Sequence, residues 1–277
     1  MVVFPNCKIN LGLNIIRKRS DGFHDIETVF YPLPLYDVLE VIQTSRPETQ
    51  QGDVSFTTSG IPIEGANETN LCIKAFRLIK KDFPSLPAVQ IHLHKVIRMG
   101  AGLGGGSSDG AFTLKLLNDK FRLNLSTGQL ISYSLQLGSD CPFFIINKPS
   151  FATGRGELLE PVSIDLTDYK FILANPGFHI NTGNAFSTIT PALPARSIKD
   201  IIQQPVATWK GELKNDFEEA VFKTHPEISD IKDEFYNAGA VYASMSGSGS
   251  SVFGIFKKEK KVSLSFPSHY FMKELSG

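Results

Sequence analysis

Gly100-Ala101-Gly102-Leu103-Gly104-Gly105-Gly106-Ser107-Ser108-Asp109 carries five glycines in its first seven residues, and a helical pattern follows over about 111–117. Without a Cβ, glycine lets backbone N–H groups crowd round an anion in conformations with φ > 0. The free N–H groups of the following helix point at the same spot with the positive end of its dipole. The stretch therefore predicts a phosphate-holding loop and a nucleotide-binding protein. Just upstream, Val89, Ile91 and Leu93 recur at period two, which sets a strand before the loop. Strand, loop, helix is the order such a site needs.

Farther toward the N-terminus, Ile9, Leu11, Leu13 and Ile15 alternate with Lys8, Asn10, Gly12 and Asn14. This predicts a strand over 7–16 with one buried and one polar face. Asp21-Gly22 marks a turn, strands are expected over 26–33, 38–42 and 54–57, and Leu71, Ala75, Leu78 and Ile79 fall at helical spacing. Downstream, Ser126 with Gln129 is a capping box for a helix through Leu137, and Gly138 is placed to end it in the left-handed conformation. Asp140 then falls on a corner before Pro142 and an apolar strand over 143–146.

The pattern changes after residues 151–156. A strand at 171–174, the turn Asn175-Pro176-Gly177, helices near 217–222 and 228–238, and strands at 240–245 and 252–256 follow, the last two joined by a second glycine-serine loop, 246–251. Residues 191–205 read as loop. Two domains are expected, 1–152 and 153–277.

The 277 residues are 42% hydrophobic, enough to bury real cores. Lys+Arg and Asp+Glu both number 28, so no basic excess argues for a nucleic-acid partner and no polybasic cluster for a membrane surface. The first ten residues lack a charged segment followed by an apolar one, and the run 143–146 is far too short to span a bilayer. A cytoplasmic protein with small-molecule partners is expected. Cys7, Cys72 and Cys141 are odd in number and widely spaced, which suggests buried reduced thiols rather than disulfides or a zinc site. His92 and His94 lie two apart on one strand face with no third ligand in view, so surface histidines are expected there.

Several glycine loops compete for residues 100–109. Gly100 to Gly105 satisfies G-x-G-x-x-G, but a dinucleotide fold wants an acid at the end of the next strand, and Asp119 lies at a helix end with no parallel strand after it. A Walker A loop requires lysine where this chain has Ser107-Ser108. No HRD or DFG sequence marks a protein kinase. Gly106-Ser107-Ser108-Asp109-Gly110 fits the G-x-S-x-G elbow, yet glycines fill the preceding positions where the elbow needs a buried strand.

Three segments together resemble the GHMP small-molecule kinases: Lys8-Ile9-Asn10-Leu11, the loop 100–109, and Met245-Ser246-Gly247-Ser248-Gly249-Ser250. The resemblance covers nearly the whole chain. It implies an α+β, two-lobe GHMP kinase fold, with a ribosomal protein S5 domain 2-like N-terminal lobe, a ferredoxin-like C-terminal lobe, and ATP and substrate in the cleft between them. Arg19-Ser20-Asp21-Gly22-Phe23-His24 and Leu137-Gly138-Ser139-Asp140-Cys141-Pro142-Phe143-Phe144 further resemble the branch that acts on 4-diphosphocytidyl-2-C-methyl-D-erythritol. That branch transfers the ATP γ-phosphoryl group to the tertiary 2-hydroxyl, in the non-mevalonate route to isoprenoid precursors.

By this resemblance Asp140 accepts the hydroxyl proton and Lys8 orients Asp140 and stabilises developing charge. On the residues alone, the rival reading of Lys8 is a solvated strand lysine and that of Asp140 a helix cap. Phe23 and Phe186 are implied on the two faces of the cytosine with His24 at its edge, and Asn10, Asn175 and Thr182 as further substrate contacts. ATP phosphates are implied over residues 102–108. Lys95 is expected to touch the nucleotide, and Arg98, Met99, Gly100, Ala101, Gly102, Leu103, Gly104, Gly105, Gly106, Ser107 and Ser108 to complete its binding stretch. Mg²⁺ is expected as counter-charge, with Ser107 either a ligand or a cap.

Two departures stand out: Arg98 where the family usually has Pro, and Gly110 where a small residue, commonly Ala, opens the helix. A monomer or weak homodimer is expected. Two other readings stay open, another GHMP kinase acting on a small alcohol or acid, and a nucleotide-binding sensor without turnover.

Overall fold

The computed structural model describes residues 1–44, 53–63, 65–187 and 189–276. In its first half the chain runs β1 (Val2–Val3), β2 (Asn6–Lys18), β3 (His24–Tyr36), β4 (Val38–Gln43), β5 (Val54–Gly60), α1 (Leu71–Asp82), β6 (Val89–Lys95), α2 (Gly105–Phe121), α3 (Thr127–Leu135) and α4 (Cys141–Ile146). Strands β7 (Ser150–Thr153), β8 (Leu158–Pro161) and β9 (Tyr169–Asn175) follow. The remainder is α5 (Thr182–Ser187), α6 (Ile198–Ile201), α7 (Trp209–Glu212), α8 (Phe217–Thr224), α9 (Pro226–Asn237), β10 (Tyr242–Met245), β11 (Val252–Lys257) and β12 (Phe271–Ser276). The fold is α+β, as expected. Among the described residues no helix is long and apolar enough to cross a membrane.

The chain forms two compact units that interleave in sequence. The first comprises Met1–Cys7, Leu35–Met99 and Gly104–Lys148; the second comprises Lys8–Pro34, Gly100–Leu103 and Pro149–Gly277. In the first unit a sheet runs β1-β4-β6-β5, with β5 parallel to β6 and α1 as the crossover between them. Asn70 caps α1 by accepting from Cys72 N. Helices α1 and α2 meet closely at Gly110, where an added Cβ would lie 2.9 Å from Leu71 Cβ and 3.3 Å from Leu137 Cδ1. The departure from alanine therefore has a packing cause: this helix pair leaves no room for a methyl group.

The second unit holds two sheets, β2-β3-β7-β8 and β10-β11-β9-β12. Its core gathers Leu13 and Ile15 of β2, Ile172 of β9, Phe217 of α8, Ile228 and Phe235 of α9, Met245 of β10 and Phe256 of β11.

Four readings of the sequence change. The polar face of β2 is not solvated: Lys8, Asn10 and Asn14 are 4%, 2% and 8% exposed, because they bond to one another and to neighbouring side chains instead of to water. Residues 143–146 are helix, not strand, since Pro142 pre-sets the first turn of α4, where its missing N–H has no helical partner to lose. Gly138 does not adopt positive φ; α3 ends at Gln136 in a right-handed conformation, and Gly138 N bonds back to Ser134 O. Within 191–205 a short helix, α6, forms under the Ser197 cap.

Candidate active site

Helix α2 begins inside the glycine run. Gly104 is its cap residue at φ 69°, in the left-handed conformation, and no side chain caps the helix. The first intrahelical bond runs from Ser108 N to Gly104 O (2.9 Å), so the backbone opens an N-terminus lined by Gly105, Gly106 and Ser107. Beneath it lies a buried triad. Lys95 Nζ donates to Asp37 Oδ2 (2.5 Å) and Asp109 Oδ2 (2.7 Å), and Asp37 Oδ1 accepts Val96 N and Ile97 N. An added Cβ on Gly105 would come within 3.0 Å of Lys95 Nζ and 2.8 Å of Ile97 Cγ2.

The triad sets the local charge. Burial opposes the Lys95 ammonium, but Asp109 and Asp37 outweigh it and hold the pKa above the ordinary lysine value. Burial pushes the Asp109 carboxyl up, Lys95 pulls it down and Asp37 adds to the rise, leaving it at about 7. Two carboxylates share one ammonium. Lys95, expected at the nucleotide, has its side chain fully buried and paired with two carboxylates. It acts on the loop from below.

Beside the helix start a cavity of about 120 Å³ is lined by Phe56, Ile63, Leu71, Met99, Gly106 and Asp109, among others. That is less than the roughly 300–1,000 Å³ of whole-ligand pockets, so it can seat only part of a nucleotide. Three polar atoms at this end are buried without a hydrogen-bond partner among the described residues: Arg98 Nε, Ser108 Oγ and Asp109 Oδ1. Asp140 is half-buried at the N-cap position of α4, and its side chain makes no capping bond, so capping does not account for it. Next to it burial pushes the Cys141 thiol up to about 12, with the Ser107 hydroxyl in hydrogen-bond contact. All three cysteines are buried thiols, as expected.

In the second unit, Gly100–Leu103 rests on the second glycine-serine loop. Ser246 Oγ donates to Gly102 O (2.7 Å) and Ser251 N to Ala101 O (3.1 Å). Gly102, at φ +77°, is obligatory: a Cβ there would sit 1.9 Å from Ser246 O. Leu103 O accepts Lys8 N (2.9 Å), which ties the same segment to β2. Lys8 Nζ donates to Asn10 Oδ1 (2.6 Å) and lies 4.7 Å over the Phe30 ring, while Asn10 Nδ2 donates to Thr28 Oγ1 (3.0 Å). Lys8 is therefore a fixed, buried cation and not a solvated strand lysine.

The expected substrate contacts divide. Asn175 Nδ2 donates to Ser250 Oγ (3.1 Å) and Ser251 Oγ (3.0 Å) and its Oδ1 accepts Gly177 N, so both amide hydrogens clasp the second loop. Thr182 Oγ1 pairs with Ser248 Oγ (2.9 Å) on that loop. Phe23 and Phe186 each have a side chain over one ring face. The Arg155 guanidinium lies 4.9 Å over Phe23, and His24 stacks on Phe186 at 4.7 Å and 11°. Burial, then Lys18, lowers the His24 pKa, which favours the neutral ring. Phe23 is nonetheless 54% exposed.

His92 and His94 bond to Ser59, and His92 also to Thr57, across β5 and β6. No group of three or more metal-ligating side chains occurs among the described residues. Residues to which the sequence reading gave no role are Asp37, Phe56, Ile63, Asp109, Asn215 and Ser246. Asp37 left a trace, an acid between two apolar strand segments, and Asn215-Asp216 before α8 is a helix-start signal.

Comparison with known proteins bears on this arrangement. Residues 70–148 match the GHMP kinases N terminal domain and residues 197–265 the GHMP kinases C terminal family. A 4-diphosphocytidyl-2-C-methyl-D-erythritol kinase of Bacteroides fragilis is 52% identical over 262 residues, 95% of this chain and 94% of the relative. One from Parabacteroides distasonis is 50% identical, covering 93% of this chain and 92% of the relative. A crystal structure of 4-(cytidine 5'-diphospho)-2C-methyl-D-erythritol kinase superposes with a TM-score of 0.77 at 27% identity, over 100% of both chains. Homoserine kinase from Cytophaga hutchinsonii, at a TM-score of 0.66 and 12% identity over 98% of this chain and 95% of that one, shares the fold.

Proposed function

Since the chain belongs to the GHMP kinases, in the family of 4-diphosphocytidyl-2-C-methyl-D-erythritol kinases, we propose that it phosphorylates the 2-hydroxyl of that substrate with ATP, in the non-mevalonate route to isoprenoid precursors. The observation that carries the reading is the 52% identity over 95% of the chain to a kinase of that name. We read 1–152 as the N-terminal, ATP-binding GHMP kinase domain and 153–277 as the C-terminal one.

The residues fit a bound polyphosphate. An uncapped helix N-terminus behind three glycines offers N–H donors, and the buried Arg98 Nε and Ser108 Oγ lack partners among the described residues. Phe56, Ile63 and Met99 give the neighbouring cavity an apolar wall for a base. Mg²⁺ needs only one or two protein oxygens besides the phosphates, and Ser107, Ser108 and Asp109 supply candidates. When bound, it neutralises charge on the β- and γ-phosphate oxygens.

On this reading the chain's own groups divide the work as follows. Asp140 accepts the proton of the acceptor hydroxyl. Lys8, held by Asn10, stabilises the negative charge that develops as the phosphoryl group moves. Phe23, His24 and Phe186 receive the cytosine, with His24 leaving the Phe186 face to admit it. Most of the rate acceleration then comes from positioning and charge neutralisation. The working partners are ATP and a cytidine-diphospho sugar alcohol, in a cytoplasmic protein acting as a monomer or weak homodimer.

ADP release measured by a coupled assay tests the reading across three acceptors. ADP is expected only with 4-diphosphocytidyl-2-C-methyl-D-erythritol. Turnover of homoserine or mevalonate with none of that substrate would move the chain to another GHMP activity, and ATP binding without turnover of any would make it a sensor.

A further inference from the structure

Asn215 lies in the turn before α8, distant in sequence from every residue assigned a role above, and is 4% exposed. Both amide hydrogens are spent on the second glycine-serine loop: Nδ2 donates to Met245 O (2.7 Å) and Gly247 O (2.8 Å). Its Oδ1 accepts Phe217 N (3.0 Å), which anchors the side chain to the start of α8. The backbone on either side is tied to β2, since Leu13 N donates to Lys214 O (2.8 Å) and Asp216 N to Leu13 O (2.9 Å). The amide is thus fixed at three of its four hydrogen-bonding positions and cannot turn without leaving buried groups unpaired.

The residue between the two gripped carbonyls is Ser246. Its hydroxyl accepts Asn10 N (3.2 Å) and donates to Gly102 O (2.7 Å). One oxygen therefore bridges the strand that carries Lys8 and the first half of the phosphate loop. We propose that Asn215 is a positioning residue for phosphoryl transfer, acting through Ser246: by clamping Met245 and Gly247 it holds the Ser246 hydroxyl where it sets the Asn10–Lys8 pair and Gly102 together. The proposal rests on the kinase reading above, and on no contact between Asn215 and substrate.

Asn215→Asp keeps the shape but replaces two donors with an acceptor facing two carbonyls. Ser246→Ala removes the bridge, and Ser246→Thr retains its hydroxyl. Wild-type turnover is established first, so that failure of the kinase reading shows before any variant is compared. Misplacement of a positioned group by about 1 Å costs on the order of 10²-fold in rate. Asn215→Asp and Ser246→Ala should each lower kcat by about 10- to 100-fold, and the double variant should fall little below the worse single one, because both cut one path.

Ser246→Thr should recover most of the loss. Thermal midpoints measured alongside separate this from a stability role. If Asn215→Asp lowers the midpoint while kcat holds, or if the two losses multiply in the double variant, the proposal is overturned. Should Asn215→Asp not fold, Ser246→Ala with near-normal kcat, or an unrescued Ser246→Thr, overturns it independently.

Discussion

Replacing Gly102 with alanine perturbs the point where the two glycine loops touch. The residue sits at φ +77°, where an L side chain costs about 1–2 kcal/mol. Its new Cβ would lie 1.9 Å from Ser246 O and 2.9 Å from the carbonyl carbon behind it, and the obstacle is backbone, which cannot swing aside as a flexible side chain could. Overpacking of this kind costs about 1–3 kcal/mol, so the sum is about 2–5 kcal/mol. At about 2–4 °C per kcal/mol this lowers the thermal midpoint by about 4–20 °C. The shift that relieves the clash also pulls Gly102 O from Ser246 Oγ, so kcat/KM for ATP should fall by on the order of 10²-fold. Gly128→Ala is the control: it lies in α3 with nothing within 4 Å of its Cβ, and should gain up to about 1 kcal/mol. Scanning calorimetry and ATP kinetics on both variants decide the matter. A Gly102→Ala protein with wild-type midpoint and kcat/KM would refute the close approach and the loop function drawn from it.

Asp140→Asn should lower kcat by about 10²- to 10⁴-fold with ATP affinity, read by calorimetric titration, little changed; near-normal kcat removes Asp140 as the base. Gly110→Ala should not gain the roughly 0.5–1 kcal/mol of helix propensity, because contact with Leu71 offsets it by about 1–3 kcal/mol, and a raised unfolding midpoint would show that α1 and α2 have slack. Asp109 gives a pH signature: with its carboxyl raised to about 7, the folded protein holds a proton that an unfolded carboxyl near about 3.9 has released. Its contribution to stability therefore falls as pH rises from about 4 to about 7. The thermal midpoint of wild type minus that of Asp109→Asn should decrease over that window, and a constant or growing difference would contradict the buried triad's charge assignment.

What the sequence disclosed, and what it hid, follows from the range of each interaction. The signals for the glycine run, the Ser126–Gln129 capping box and the strand β2 are local, and each element appears in the structure where the residues predict it. The apolar residues 143–146 were too few for period to discriminate helix from strand, and the telling signal was Pro142 at the first turn. The role of Lys95 could not be read from its neighbours, because the carboxylates that bury it, Asp37 and Asp109, stand 58 and 14 positions away. Asn175 reads as a turn residue, and Asn215 stands one residue before the Asp216 cap of α8. Their spare hydrogens reach a loop 30 to 76 positions distant, which no local pattern reveals. The resemblance alone implies cytosine contacts at Phe23, His24 and Phe186, and the pairings of Phe23 with Arg155 and of Phe186 with His24 belong to the folded chain alone.

The position on which the phosphoryl group lands is decisive. The 2-hydroxyl is tertiary, so its carbon bears no hydrogen, and a phosphate there has no proton three bonds from phosphorus. Proton-coupled ³¹P NMR of the product formed from ATP and 4-diphosphocytidyl-2-C-methyl-D-erythritol should therefore show one new phosphomonoester resonance as a singlet. A doublet or triplet, which marks transfer to a secondary or primary hydroxyl, or ADP formed with no new organic phosphate, would contradict it.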